Sequence, residues 1–420
     1  MITTRRDFLK TGSMVALGSS VPAFLSQTAL ATQQATGGNT PTGARDTILV
    51  VIQLTGGNDG LNTVVPFGDD DYARNRPTLR LRANQVLRLG RNADVGLHPS
   101  MTGLKDLFDD GKLAVVQGVG YPNPTQSHFR SMDIWQSAKT TGELNDGWVG
   151  RALNGVPGAV SFHLADQNEA SPLALTGAPV RVPSITTLQD FQLKINGASQ
   201  ADTRRQRSLI EAAANVGNNN NQDDLLNFVR RTSTNTYQSS NRLREVGQNY
   251  SPSQGVTYPN TALANRLRLA AQLIDAGLGA RLFYVSIGGF DTHARQENAH
   301  ANLLTQVSGA MTAFYRDMAA KGHGDRILMM TFSEFGRRVR ENGSQGTDHG
   351  TAAPMFLVGG KVRAGIVGDH PSLNNLVRGN LRHHTDFRQV YATVLDQWLG
   401  VRSRPILNGD YEAVNILRRS

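Results

Sequence analysis

Three short, largely apolar runs, each followed at once by a polar loop, constrain the fold of this chain most strongly. They cover residues 47–54, 281–287 and 327–332. Apolar runs of this length are typical of strands buried on both faces, as in a parallel sheet covered by helices. The carboxyl ends of parallel strands meet at one edge, where open α/β sheets bind ligands. We therefore expect the polar loops after these runs to lie together.

The rest of the chain alternates between strand and helix patterns. Further elements are predicted at 100–110 (helix), 113–118 (strand), 261–279 (helix), about 300–320 (helix), 355–358 (strand) and 386–399 (helix). This alternation predicts βαβ units and an α/β fold with a mostly parallel central sheet. Residues from about 200 to 260 are polar and rich in asparagine, which predicts a helical, cap-like insertion.

The N-terminus has the pattern of an export signal. Residues 5–10 read Arg-Arg-Asp-Phe-Leu-Lys, and an apolar stretch at 14–25 precedes a small-residue cleavage site. We interpret residues 1–31 as a twin-arginine signal peptide, which the twin-arginine translocase would recognise. Residues 32–45 form a linker, and 46–420 form the folded domain. Because the apolar stretch is short and interrupted by glycine and proline, we expect no permanent membrane span. The predicted location is periplasmic or secreted.

Composition limits the chemistry. The chain has no cysteine, so it has neither disulfides nor a thiolate metal site, and any metal must bind to histidine, carboxylate or hydroxyl groups. The formal net charge is +9. This charge favours an anionic small-molecule or envelope substrate, unless it is only a solvated basic surface. We find no nucleic-acid-binding motif and expect no nucleic-acid partner.

The loops after the apolar runs hold five candidate metal ligands. They are Asp59, Asp291, His293, Asp348 and His349. Three carboxylates and two imidazoles at one edge would repel or be poorly solvated without a cation. A divalent metal removes that conflict and can lower the pKa of a bound water or hydroxyl. Zinc suits the ligand types best, while calcium, magnesium and manganese are also compatible.

Each of these residues also has a structural interpretation. Asp59, in Gly-Asn-Asp-Gly, can be a turn residue. Asp291 can cap the helix that follows it, and His293 can be an ordinary surface histidine. The adjacent pair Asp348 and His349 is the most specific signal.

A second group of residues is predicted to act on the substrate. Ser127 falls at the start of a predicted helix, where backbone N–H groups can hold an anion, so it is the candidate nucleophile. The alternative is an ordinary N-cap serine. His128 is a candidate ligand, acid/base or positioning residue. Arg337 and Arg338 are candidates for binding an oxyanion, or for pairing with Glu334.

Five motifs resemble those of one known family. They are Leu-Thr-Gly-Gly-Asn-Asp-Gly at 54–60, Ser-His-Phe-Arg-Ser-Met-Asp-Ile-Trp at 127–135, Gly-Gly-Phe-Asp-Thr-His at 288–293, Ser-Glu-Phe-Gly-Arg-Arg at 333–338 and Gly-Thr-Asp-His-Gly-Thr-Ala at 346–352. With the twin-arginine start, they resemble the exported bacterial domain-of-unknown-function family 1501 over nearly all of the mature chain. That family is similar to the alkaline phosphatase and sulfatase superfamily.

The resemblance implies an alkaline-phosphatase-like three-layer sandwich with one or two metals at the strand ends. It also implies hydrolysis or transfer of phosphate or sulfate esters by a hydroxyl nucleophile, which would be Ser127. The implied metal ligands are the first-strand Asp59, the middle pair Asp291 and His293, and the later pair Asp348 and His349. The chain lacks the Cys-x-Pro-Ser-Arg motif of formylglycine sulfatases. His383 and His384 are adjacent, and a structural role suits both. Of the two, His384 is the nearer candidate for the last metal-binding histidine of the phosphatases.

These observations predict a periplasmic, metal-dependent hydrolase or transferase of anionic esters. The alternative is a non-catalytic envelope protein that uses the same fold to bind a metal or ligand, or as a structural element.

Overall fold

A computed structural model of the chain describes residues 46–90, 93–156, 160–167, 169–178, 182–188, 250–277 and 279–418. The predicted signal peptide at 1–31, the linker at 32–45 and residues 200–249 of the predicted insertion lie outside the described residues. The described end of that insertion, residues 250–260, contains no helix.

Within the described residues, a nine-stranded sheet forms the centre of the molecule. In spatial order its strands are β11 (Gly365–Val367), β5 (Leu113–Gly120), β10 (Ala353–Gly359), β9 (Ile327–Phe332), β1 (Ile48–Leu54), β8 (Ala280–Ile287), β6 (Val160–Leu164) and β7 (Ser184–Ile185), with β14 (Thr385–Asp386) also beside β5. All of these pairings are parallel except those of β10, which runs antiparallel to both β5 and β9. The mostly parallel central sheet is therefore confirmed.

Helices cover both faces of this sheet. They are α1 (Gly60–Thr63), α2 (Asp70–Asn75), α3 (Thr102–Asp109), α4 (His128–Ser137), α5 (Trp148–Leu153), α6 (Ala262–Asp275), α7 (Gln296–Ala320), α8 (Phe387–Thr393, continued by a π-helical turn Val394–Leu399) and α9 (Ser403–Leu407). Short 3₁₀ turns lie at Leu173–Leu175 and Gly324–Arg326. Small sheets pair β2 (Val64–Val65), β4 (Gly96–Leu97) and β3 (Leu87–Arg88), and β12 (Leu376–Val377) with β13 (Asn380–Leu381).

Alternate side chains of the central strand β1 enter two separate cores. Ile48, Val50 and Ile52 pack with apolar residues of α3, α6 and α7. Leu49 and Val51 pack on the other face with residues of α4, α5, α8 and α9. A period of two in side-chain direction explains why all residues of this run except Gln53 are apolar. The structure thus confirms the predicted three-layer α/β sandwich. None of the helices in the described part of the chain combines the length and apolar character needed to cross a membrane.

The direction of β10 determines where the second half of the site lies. Residues 333–352 connect β9 to β10. Because β10 is antiparallel to β9, it begins at the edge of the sheet at which β9 ends. The whole connection therefore stays at the carboxyl edge of the parallel strands. This is why Asp348 and His349 reach that edge although many residues separate them from β9.

A buried carboxylate anchors the chain that leads into α6. Asp317 of α7 is completely buried, and it accepts hydrogen bonds from the hydroxyls of Tyr250 and Tyr258 and from the backbone N–H and hydroxyl of Ser253. The distances from Asp317 to Tyr258 and to Ser253 are 2.9 and 2.8 Å. Asp317 thus holds this segment together with the packing of Tyr250 and Tyr258 against the core.

We expect Asp317→Ala to lower the free energy of unfolding by roughly 3 kcal/mol, because several buried donors would lose their acceptor. Urea denaturation followed by circular dichroism measures the change. The matched control is Asp106→Ala, whose side chain is 56% exposed and pairs with Arg316, and which should cost less than about 1 kcal/mol. Equal effects of the two substitutions would contradict the anchoring role.

Candidate metal centre and active site

Three histidines and one aspartate meet at the carboxyl edge of the sheet. His128 is the first residue of α4, Asp291 and His293 lie in the loop after β8, and His349 lies between β9 and β10. The Oδ1 atom of Asp291 is 3.1 Å from the Nε2 atoms of both His293 and His349. Its Oδ2 atom is 3.5 Å from Nε2 of His128. One ligand atom from each of His128, Asp291 and His349 lies within 4.8 Å of the others, a spacing that one metal ion can bridge.

The second ring nitrogen of each histidine faces a hydrogen-bond acceptor. The Nδ1 atoms lie 2.9 Å from Glu334 Oε1 for His128, 2.9 Å from the Gln126 carbonyl for His349, and 3.3 Å from Asp348 Oδ1 for His293. Assigned from these partners, the proton of each neutral ring sits on Nδ1. All three Nε2 lone pairs are then directed at the cluster, as in metal-binding histidines whose other nitrogen donates to a carboxylate or carbonyl.

Two of these lone pairs approach each other closely. Nε2 of His293 is 2.9 Å from Nε2 of His349, and the same carboxylate oxygen of Asp291 lies beside both. Neutral rings with their protons on Nδ1 have no hydrogen to place in this contact, so it is repulsive by itself. A divalent cation removes the repulsion, and imidazole with one carboxylate is a ligand set that suits zinc. The side chains present therefore fit a metal.

The surroundings of Asp291 and His349 keep both side chains in the protonation state that can bind a metal. Burial raises the pKa of Asp291, but the hydrogen bond from Arg337 and the charge of that guanidinium outweigh it and lower the pKa to about 2. Asp291 is thus ionised at neutral pH. Burial lowers the pKa of His349, which keeps that imidazole neutral and able to bind a metal.

Arg337 points into the protein, in contrast to the prediction of an oxyanion-binding residue. Its side chain is completely buried, and it donates to the carbonyls of Gly56, Gly57, Phe290 and Thr347 and to Asp291 Oδ1. The alternative, a pair with Glu334, is not formed either. Arg337 instead fastens the loops after β1, β8 and β9 to one another. This arrangement uses the fixed fork of donors that only arginine provides.

Arg338, the neighbouring candidate, lies on the surface. Its positive charge contributes the smallest part of the lowered pKa of Asp348, after the hydrogen bond from Asn342. Asp348 was predicted as a metal ligand, but its Oδ1 accepts from Asn342 at 3.0 Å and lies beside His293 Nδ1. The structure therefore places Asp348 behind His293, where it orients that ring.

Asp59 lies apart from the cluster, contrary to its prediction as a metal ligand. Both of its oxygens are bound by Arg76, at 2.6 and 3.0 Å, and neither side chain has any exposure. Burial raises the pKa of Asp59, but Arg76 outweighs this and lowers the pKa to about 2, so the pair is ionic. This partner could not be predicted from the sequence, because Arg76 belongs to no motif.

Glu334, whose role the sequence left open, holds His128 in place. The carboxylate is completely buried, and its Oε1 accepts from the Gly56 N–H at 2.8 Å and lies 2.9 Å from His128 Nδ1. It thereby selects the tautomer of His128 that presents Nε2 to Asp291. Its position directly after β9 is the sequence signal for this role, since the other cluster residues also follow strands.

We expect Glu334→Gln to weaken zinc binding about 10–100-fold, because the amide no longer fixes the proton of His128 on Nδ1. Competition with a chromophoric chelator measures the affinity. Glu297→Gln, at an exposed position on the first turn of α7, is the control and should leave the affinity unchanged. An unchanged affinity in Glu334→Gln would show that Glu334 has only a structural role.

Ser127 lies beside the cluster in an open position. It is the exposed N-cap residue of α4, a helix of 10 residues, and its side chain makes no capping hydrogen bond. The next residue is the cluster histidine His128. His384, the candidate for the last phosphatase histidine, is engaged elsewhere, since its Nε2 is 2.7 Å from the Asp369 carbonyl.

Comparison with known proteins gives a family and a set of distant structures. The model of the family described as "Protein of unknown function (DUF1501)" matches residues 46–404. No curated protein matches the chain significantly. A sulfatase from Pseudoalteromonas sp. is 11% identical, with a TM-score of 0.40 over 93% of this chain and 74% of its own.

Two further solved structures are similar at the same level. A protein in the alkaline phosphatase superfamily from Vibrio parahaemolyticus is 9% identical, with a TM-score of 0.36 over 84% of this chain and 73% of its own. A lipoteichoic acid synthase from Listeria monocytogenes is 9% identical, with a TM-score of 0.36 over 90% of this chain and 81% of its own.

Proposed function

The chain belongs to the DUF1501 family of proteins of unknown function, and from its site we propose that it is a metal-dependent hydrolase or transferase of anionic esters, of the phosphate or sulfate class. The observation that carries the proposal is the convergence of imidazole Nε2 atoms on Asp291, with two of them 2.9 Å apart. A second support is the helix start beside this cluster, which offers an exposed hydroxyl and backbone N–H groups.

His128, Asp291, His293 and His349 are the residues that would hold the metal. Zinc fits them best, since imidazoles outnumber carboxylates among the ligands. A bound divalent ion supplies a Lewis acid that stabilises negative charge developing on the ester and on the attacking hydroxyl. Asp348 and Glu334 would orient His293 and His128 during this chemistry.

Ser127 is the proposed nucleophile. Its Oγ would lose its proton to solvent and attack phosphorus or sulfur, forming an ester bond to the protein. The bond to the alcohol of the substrate would break at the same time, and the alcohol would leave with a proton taken from solvent. The N–H groups of the first turn of α4 are oriented to stabilise the oxygens of the transferred group. Water, or a second alcohol in a transferase, would then release that group and restore the serine hydroxyl.

The location belongs to the same proposal. The twin-arginine pattern at residues 5–10 supports export to the periplasm in a folded state, after which an anionic substrate would meet the protein. The net charge of +9 favours such a substrate.

Metal analysis of the folded, exported protein, followed by assays with aryl phosphates and aryl sulfates, tests this function. We expect bound zinc and measurable turnover, and a drop of at least about 10³-fold in kcat for Ser127→Ala with the metal content unchanged. The control is Ser251→Ala, an exposed serine elsewhere, which should keep full activity. Full activity in Ser127→Ala would show that a water molecule is the nucleophile. Absence of metal would refute the proposal.

The second candidate is a non-catalytic, metal-binding envelope protein. The inward direction of Arg337 favours it, since the donors of that guanidinium serve carbonyls and Asp291 instead of a substrate. Stoichiometric metal without turnover of any ester would support this second function.

A further inference from the structure

The Asp59 carboxylate contributes to a ring of oxygen atoms that surrounds the guanidinium of Arg76. We call this ring the cage. The guanidinium of Arg76 donates to both carboxylate oxygens of Asp59, to Asn62 Oδ1 and to two backbone carbonyls. These contacts are 2.6 and 3.0 Å to Asp59, 3.4 Å to Asn62, 2.9 Å to the Arg338 carbonyl and 2.6 Å to the Val339 carbonyl. The Arg76 side chain has no exposure.

This set of acceptors is the kind that binds a hard metal ion. Carboxylate, amide and carbonyl oxygens are the ligands of calcium and magnesium in proteins, at about 2.0–2.6 Å. A metal at that distance from Asp59 would overlap the guanidinium nitrogens, which lie 2.6 and 3.0 Å from the same oxygens. Because arginine stays protonated in proteins, it cannot yield the position by losing its charge.

The cage is coupled to the loops of the metal cluster through Gln296. The amide of Gln296 donates to Asp59 Oδ2, and its Oε1 accepts from the hydroxyls of Thr292 and Thr347. Thr292 stands between Asp291 and His293 in the chain, and Thr347 precedes Asp348 and His349. A cation in this cage therefore fixes both ligand-bearing loops while staying outside the cluster itself.

We propose that the guanidinium of Arg76 permanently fills a second cation site at Asp59, so that the protein binds a single divalent ion, at the cluster around Asp291. The claim that one divalent ion binds at the cluster rests on the proposed function. The claim that Arg76 fills a cation site at Asp59 does not. A covalently attached cation thus takes the position that an exchangeable metal ion would otherwise occupy.

Metal stoichiometry tests the single-ion part. Full-length exported protein is dialysed against zinc and calcium and analysed by plasma mass spectrometry. We expect one equivalent in the wild type, one in Asp59→Asn and none in His349→Ala. Two equivalents in the wild type, with one lost in Asp59→Asn, would overturn the inference but leave the proposed function intact. No metal in the wild type would instead refute the proposed function and this part together.

The cage itself is tested in a His349→Ala background, where the cluster is disabled. Arg76→Ala should there gain one calcium or manganese equivalent, and its Tm should rise by about 5–10 °C with 1 mM of that ion. Arg76→Lys retains a cation, so it should bind no ion and show no such rise. If Arg76→Ala folds only with a divalent ion, the proposal is supported as well. Failure of Arg76→Ala to bind any divalent ion, folded or during refolding, would overturn it.

Discussion

Replacement of Asp291 by alanine is expected to abolish stoichiometric zinc binding, with a loss of at least about 10³-fold in affinity. Asp291 is the residue that all three histidines share, at 3.1 Å from His293 and His349 and 3.5 Å from His128. It also supplies the carboxylate charge of the cluster, and its pKa of about 2 keeps that charge present at every physiological pH. Without it, three neutral imidazoles would face a divalent ion with no anionic ligand.

Chelator competition at neutral pH measures this loss, and circular dichroism establishes that the variant is folded. The matched control is Asp348→Ala, which removes a carboxylate of similar exposure from the adjacent loop. Since Asp348 orients His293 and does not belong to the cluster, we expect this control to weaken zinc binding only about 10–100-fold. An Asp291→Ala variant that binds zinc as tightly as Asp348→Ala would show that Asp291 is not a ligand.

The layers of the fold follow directly from local sequence. Every residue of β1 is buried, and its apolar side chains alternate between two cores, which is what an apolar run interrupted only by Gln53 predicts. The direction of a strand is not encoded in such a run. Met355 to Val358 reads the same whether β10 is parallel or antiparallel, and only the structure shows that β10 returns along β9. That reversal keeps the loop with His349 at the edge of the site.

The metal cluster was predictable in part, because residues that follow parallel strands converge. Asp291, His293 and His349 come together as this rule predicts, and their role as metal ligands stays a prediction. The partners that assign roles were not predictable, because they come from distant positions: Glu334 and His128 are 206 residues apart in sequence. The same applies to Asp59, whose charge alone suggests a ligand until the guanidinium of Arg76 is seen to occupy both of its oxygens.

Arg337→Met is expected to lower the free energy of unfolding by at least about 4 kcal/mol, although methionine replaces the unbranched aliphatic part of the side chain. Four backbone carbonyls, those of Gly56, Gly57, Phe290 and Thr347, would lose the donor that now binds them. Each buried polar group left without a partner costs about 1–3 kcal/mol. Arg337→Lys should recover only a small part, because a single ammonium cannot reach acceptors that surround a planar fork.

Guanidinium chloride denaturation of the metal-free protein measures this effect without contribution from zinc. The neighbouring Arg338→Met is the control, since its side chain is exposed and should change stability by less than about 1 kcal/mol. If the two substitutions cost the same, Arg337 does not hold the loops together. A large loss for Arg337→Met alone would mean that the second arginine of the Arg-Arg pair supplies surface charge, while the first builds the frame on which Asp291 and His349 are placed.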